Sequence, residues 1–131
     1  MIVLDTHIWL NWLILGEASI PRGIAAILRS NPHVCVSAIS SFEVVYLVKR
    51  KRIELPLPTC EWLREALAPS GIESLPITAE IAAASAELPE CHKDPADRFI
   101  IATALAYDAK LASIDSAFPL YDALKGRLLS T

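Results

Sequence analysis

Glycine is scarce: four isolated residues among 131 leave no material for a glycine-rich phosphate loop or a dinucleotide fingerprint. The three cysteines, Cys35, Cys60 and Cys91, are odd in number and lack metal-finger spacing. That excludes a disulfide scaffold and predicts a reducing cytoplasm with thiols used as small hydrophobes. Positive charge is not in excess either. With a net charge of −3, a polyanion has to be held by local features, a bound divalent cation among them, because no global field attracts it. Long apolar runs are missing as well: IWLNWLIL is interrupted by Asn11, far short of the roughly 18 residues that span a bilayer. MIVLDTH has neither the basic flank nor the small-residue cleavage site of a secretory signal, so a soluble cytoplasmic chain with no membrane partner is expected. No Ser-His-Asp or Cys-His grouping is recognisable.

What is present is apolar. Hydrophobic residues make up 53% and charged residues 21%, which rules out disorder and predicts one densely filled domain over residues 1–131. IVL (2–4), VCVS (34–37), IESLPI (72–77) and KLASID (110–115) read as strands, with LLS near the end as a candidate for one more. Helical stretches separate them: THIWLNWLIL, a helix after Pro21, residues 40–52, about 59–67, a helix from Thr78 and residues 94–108. Strands apolar on both faces, alternating with helices, predict an α/β fold whose mostly parallel sheet is covered on two sides.

Four acids fall at one edge of this scheme. Asp5 ends the first strand and Asp115 ends KLASID, while Glu43 and Asp97 lie in the first turns of later helices. In an open α/β sheet the carboxyl edge is where separate segments converge and ligands bind. Helix capping is the bland alternative for each acid. Ser40-Ser-Phe-Glu43 matches a capping box, Asp94-Pro95 places an N-cap before a proline, and Asp5 and Asp115 could each cap the next segment of chain. Capping does not require that all four be acids, nor that two of them end apolar strands at the same edge.

Helix geometry separates Asp97 from Asp94. Asp97 heads the stripe Ile100, Ile101, Ala104 and Leu105, so it is aimed at the core; Asp94 has a cap to make and Arg98 four residues on as an ion partner. Glu43 shares a face with Tyr46 and Leu47. Converging inward carboxylates repel one another or take up protons, and a bound Mg²⁺ or Mn²⁺, which prefers carboxylate oxygens, relieves both.

MIVLDTH, VSAISSFEV, HKDPADRFIIATA and LASID, in this order and over essentially the whole chain, resemble the PIN-domain ribonucleases, most closely the VapC toxins of bacterial toxin–antitoxin pairs. The resemblance implies a PIN-like three-layer α/β/α sandwich, Mg²⁺- or Mn²⁺-dependent endonuclease activity on RNA, inhibition by a small cognate antitoxin protein, and a homodimer. Carried over by position, the metal-site acids are Asp5, Glu43, Asp97 and Asp115, and Thr6 matches the hydroxyl beside the first acid. Phe42 stands where close relatives often have Trp, a departure expected to affect packing only. Ser113 stands where many have Thr.

Phosphodiester hydrolysis needs a water deprotonated near neutral pH and stabilisation of charge on the phosphoryl oxygens, which metal ions held by carboxylates supply. Asp5 and Asp97 are the first choice as ligands, with Asp115 completing the set and Glu43 placed to hold or deprotonate the water. Thr6 and Ser113 would orient these groups. Arg98 and Lys93 flank the acids and are candidate RNA contacts, whereas His92 reads as an exposed loop residue and His7 is as readily packed as functional. Lys49 and Arg50 belong to a cationic run that either closes a helix against its dipole or meets phosphate. The apolar face of Trp9, Trp12 and Leu13 is mostly core, with a remainder available to a dimer or antitoxin surface. Two rivals are a receiver-like or phosphatase-like Mg²⁺-binding phosphotransfer domain, which needs a phosphorylatable Asp after a mid-chain strand, and a non-catalytic PIN-like protein-binding module, which would have lost acids.

Overall fold

The structure, a computed structural model, describes residues 1–91 and 94–131. Five strands, β1 (Ile2–Leu4), β2 (Val34–Ser37), β3 (Ile72–Leu75), β4 (Lys110–Ala112) and β5 (Leu128–Leu129), form one sheet in the order β3-β2-β1-β4-β5. Every strand pair is parallel. The helices are α1 (Thr6–Leu15), α2 (Arg22–Arg29), α3 (Ala38–Lys49), α4 (Thr59–Glu65), α5 (Ala79–Glu87) and α6 (Pro95–Ala106).

Period-two alternation divides the strand side chains between two cores. Ile2, Leu4, Val34, Val36, Ile72 and Ala112 face one side, with Ile8 and Trp9 of α1, Ile24 and Leu28 of α2 and Trp62 of α4. Val3, Cys35, Leu75 and Leu111 face the other, with Ile100, Ile101 and Ala104 of α6. This is the three-layer α/β/α sandwich expected from strands apolar on both faces. Trp9, wholly buried, donates from Nε1 to the Ala66 carbonyl at 3.1 Å and its ring lies 5.3 Å from that of Trp62, so α1 is bolted to α4. Trp12 and Leu13 are half-buried against the same core, and Leu15 is exposed.

The strand order also removes the receiver-like half of one rival. A receiver-type sheet runs 2-1-3-4-5; here β1 is central and β4 is its other neighbour, so the order reverses between β1 and β4. The crevice at that reversal opens beyond the ends of β1 and β4, beside Asp5 and Ser113. No acid immediately follows β2 or β3.

Two boundaries differ from the sequence expectation. Helix α3 begins at Ala38, with Ser37 as its N-cap accepting from the Ile39 amide at 3.2 Å. Ser40 and Glu43 therefore sit inside the helix, and Glu43 is in its second turn rather than its first. Strand β4 stops at Ala112, so Asp115 does not end the strand but comes after a turn in which Ser113 Oγ accepts from the Asp115 amide at 3.1 Å. Serine at such a position offers the backbone an alternative to the ladder.

Candidate active site

Helix α3's earlier start decides what Ser40 and Glu43 do. Neither caps the helix; both turn inward to Thr6, the first residue of α1. Thr6 Oγ1 donates to Glu43 Oε1 at 2.6 Å and lies 2.8 Å from Ser40 Oγ, tying the ends of β1 and β2 together. Asp5 occupies the N-cap position of α1 but makes no side-chain capping bond there. Its Oδ2 accepts instead from Ser113 Oγ at 2.7 Å, across the crevice between β1 and β4. Asp115 is the acid closest to the bland expectation, since its Oδ1 accepts from the Ala117 amide at 2.8 Å.

Helix α6 delivers two acids. Asp94 caps it through Oδ1, which accepts from the Ala96 amide at 3.0 Å, and Pro95 takes the first helical position. Asp97, at the head of the buried Ile100–Ile101 stripe, is only 8% exposed. Carboxylate oxygens of Glu43, Asp94 and Asp97 lie within 4.8 Å of one another. Asp94, assigned from sequence to a cap and an ion pair with Arg98 and not to the site, both caps α6 and stands in the acidic group. A signal was present in the D-P-x-D spacing, which puts an N-cap and an N3 side chain on the same end of a helix.

The electrostatics extend this triad to all five acids. Burial, then the charges of Asp5, Asp94, Glu43 and Asp115, push Asp97 up to about 8. Asp5 is raised above the ordinary carboxylate range by burial, against the pull of the Ser113 hydroxyl and His7, with Asp115 adding to the rise. Glu43 is raised by burial, partly offset by the Thr6 hydroxyl, with Asp94 and Asp5 adding to it. Like charges converging around the buried Asp5 and Asp97 make these carboxyls hold protons they would release in water. Such a donor set of carboxylate oxygens alone suits a hard divalent cation, Mg²⁺ or Mn²⁺, which would take the place of those protons. His7 is exposed at the rim, close enough to lower both Asp5 and Glu43.

A PIN-domain family model matches residues 2–124. The chain belongs to the PIN-domain family. Within it, ribonuclease VapC22 of Mycobacterium tuberculosis (strain ATCC 25618 / H37Rv) is 30% identical over 115 residues, covering 87% of this chain and 86% of that protein. Among solved structures, VapBC2 from Rickettsia felis bound to a promoter DNA fragment aligns with a TM-score of 0.69 at 20% identity, over 98% of each chain. A toxin–antitoxin complex from Klebsiella pneumoniae aligns at 0.65 and 20% identity, over 98% of this chain and 96% of that one. Against this PIN fold, all four acids chosen from sequence stand at the carboxyl edge of the sheet.

Other sequence expectations fare differently. Arg98 does not reach outward for a ligand: Nε donates to the Ser85 carbonyl at 3.1 Å, Nη1 to Pro89 at 2.9 Å, and Nη2 to Ala86 at 3.1 Å and Leu88 at 2.7 Å. These carbonyls belong to the last turn of α5 and the chain beyond it, so the guanidinium closes a helix end by its fork of donors. Phe42 is no packing residue of the core: it is 61% exposed, its ring stacked on Tyr46 at a centroid distance of 5.9 Å. Arg50 continues this strip, with its guanidinium over the Tyr46 ring and bonded to the Tyr46 hydroxyl. Lys93 and His92 lie outside the described residues.

Proposed function

We propose that this PIN-domain protein is a metal-dependent endoribonuclease that hydrolyses RNA phosphodiester bonds and acts as the toxin of a toxin–antitoxin pair. The observation that carries the reading is the crevice in which exposed Asp94, half-buried Glu43 and buried Asp97 approach within 4.8 Å and Asp5 and Asp115 add their charge. The relative named a ribonuclease, matched over most of its length, supports RNA as substrate. The fold neighbours titled as toxin–antitoxin complexes support an antitoxin partner.

Asp5, Glu43, Asp97 and Asp115, joined by Asp94, would hold Mg²⁺ or Mn²⁺. A divalent cation there supplies charge stabilisation for the phosphoryl oxygens and lowers the pKa of water. The chain's own groups do the rest. Ser113 and Thr6 fix the carboxylates of Asp5 and Glu43 by hydrogen bonds to one oxygen of each, which orients the remaining lone pairs. Glu43, half-buried and held by Thr6 through one oxygen, would accept the proton of the attacking water. Lys49, the last residue of α3, and Arg50, its C-cap, lie nearly two turns beyond Glu43, about 9–10 Å along the axis, where phosphates flanking the cut would pass. The exposed Phe42, Val45 and Tyr46 patch favours a protein interface, and a homodimer in the cytoplasm belongs to the same reading.

The test is incubation of the purified protein with structured RNAs in the presence of EDTA, of Mg²⁺ and of Mn²⁺. Cutting should vanish on chelation and return with either ion; cutting indifferent to EDTA would overturn the metal mechanism.

A further inference from the structure

The amino edge of the same sheet carries a second group of metal-ligating side chains, of different chemistry. His33 precedes β2, Cys35 is its second residue, and Glu73 stands opposite Cys35 in the parallel register with β3. Residues two apart on a strand share a face, as do residues in register on adjacent strands, so the backbone alone projects all three side chains to one side. His33 is itself pinned, its carbonyl accepting from the Ile2 amide at 2.8 Å.

The three groups converge on a single atom. His33 Nε2 lies 2.7 Å from Glu73 Oε1 and 3.5 Å from Cys35 Sγ, and one ligand atom of each residue falls within 4.8 Å of the others. An imidazole nitrogen has one in-plane direction, occupied either by a proton or by a lone pair, so it can serve one of these partners as a hydrogen bond and not both. A cation lying between them would satisfy all three at once. The sulfur–nitrogen spacing also fits, whereas the nitrogen–oxygen spacing of 2.7 Å is a hydrogen-bond length that would have to open to about 3.4 Å around the ion. Zinc–sulfur and zinc–nitrogen bonds of about 2.3 and 2.0–2.1 Å at a tetrahedral angle put sulfur and nitrogen about 3.5 Å apart. Cys35 is fully buried beneath, while the His33 and Glu73 side chains are half exposed, at 51% and 54%, and leave a way in from solvent. The ordinary alternative is a surface His–Glu pair above an inert core thiol.

We propose that His33, Cys35 and Glu73 form a binding site for a borderline-soft divalent cation of the Zn²⁺ type, remote from the acidic crevice, with solvent as fourth ligand. The thiolate and imidazole select against Mg²⁺, just as the all-oxygen crevice selects for it. The ion would cross-link β2 to β3 and stabilise the folded chain by mass action. Cysteine spacing in the sequence could not disclose the site, because two of its ligands are two residues apart and the third is 38 residues on, aligned only by strand pairing.

Co²⁺ is the probe. The full chain is stripped with a chelator, placed in excess Mg²⁺ to occupy the acidic crevice, and titrated with Co²⁺. A thiolate-to-cobalt charge-transfer band in the near ultraviolet is expected, and Zn²⁺ should abolish it by displacement. The band should disappear in Cys35→Ser and persist in Cys60→Ser/Cys91→Ser. Because Cys35 is in the core, the exposed changes His33→Ala and Glu73→Gln provide a second arm, each expected to weaken Co²⁺ by at least about tenfold without unfolding the protein. No band from the intact chain, a band that survives Cys35→Ser, or unaltered affinity in both His33→Ala and Glu73→Gln would overturn the proposal. None of these readouts depends on RNA cleavage.

Discussion

Ser113 Oγ donates to Asp5 Oδ2 at 2.7 Å across a sequence separation of 108 residues, and both groups are buried. The bond spans the point at which the strand order reverses. It holds an inward carboxylate in one orientation where burial and Asp115 both act against its charge.

Ser113→Ala should therefore disorder Asp5 without emptying the crevice. Loss of an orienting hydrogen bond to a metal ligand costs about 10–100-fold in activity or metal affinity. RNA-cleavage rates at increasing Mn²⁺ check this, with Ser113→Thr, which keeps the hydroxyl, expected to restore most of the rate. An alanine variant as active as the parent would show that Asp5 needs no such support.

On the proposed mechanism Asp97→Asn, which would remove a ligand from the crevice, should reduce cleavage by at least about 100-fold. It should also raise the thermal stability of the metal-free protein near neutral pH, because folding no longer has to protonate a carboxylate that is ionised in the unfolded chain. A purely structural role, a first-turn acid against the helix dipole, predicts the opposite sign, because asparagine loses that attraction and stability falls. Melting temperatures in EDTA, set beside cleavage rates, separate the two.

The pH dependence of the metal-free protein comes from the same shift. Asp97 titrates near 8 when folded and near 3.8 when unfolded, so the folded chain holds this proton more tightly. Its stabilising contribution is full below about pH 4 and is lost as pH rises through about 8. Asp5 and Glu43 shift in the same direction. Thermal melts in EDTA should fall from about pH 5 to pH 8, and Mn²⁺ should flatten the decline by replacing the protons. A melting temperature that climbs over this window without metal would contradict the electrostatics.

Arg98→Ala should destabilise the fold by about 2–4 kcal/mol, since four carbonyls at the end of α5 lose a charged donor. Arg98→Lys, lacking the planar fork, should recover only part of that. Urea unfolding measures the loss. Were Arg98 a phosphate contact instead, stability would hold and the salt dependence of RNA binding would weaken.

Much of this molecule could be read along the chain. Strands and helices alternate visibly because side-chain periods of two and 3.6 are local properties, and runs such as VCVS, apolar at nearly every position, could only belong to a sheet covered on both faces. Asp97 was legible as an inward acid for the same reason: its offset from Ile100, Ile101 and Ala104 fixes its direction once a helix is granted. Local rules erred where two of them competed. Ser40-x-x-Glu43 has the form of a capping box, but Ser37 three residues earlier captures the helix start, and the pair is thereby turned toward Thr6.

Which segments become neighbours was a different matter, because chain separation carries no information about contact through the fold. The order β3-β2-β1-β4-β5 brought Ser113 to Asp5, placed Glu43 and Asp94 within one cluster, and stood Glu73 beside Cys35 at the opposite edge. Arg98 looks like an exposed cation in the sequence and is an architectural clamp in the fold, since the carbonyls it serves are exposed to it only when α5 ends beside α6. Composition and periodicity determined the layers and the direction of the acids; parallel strand pairing alone decided which charges would have to share a pocket.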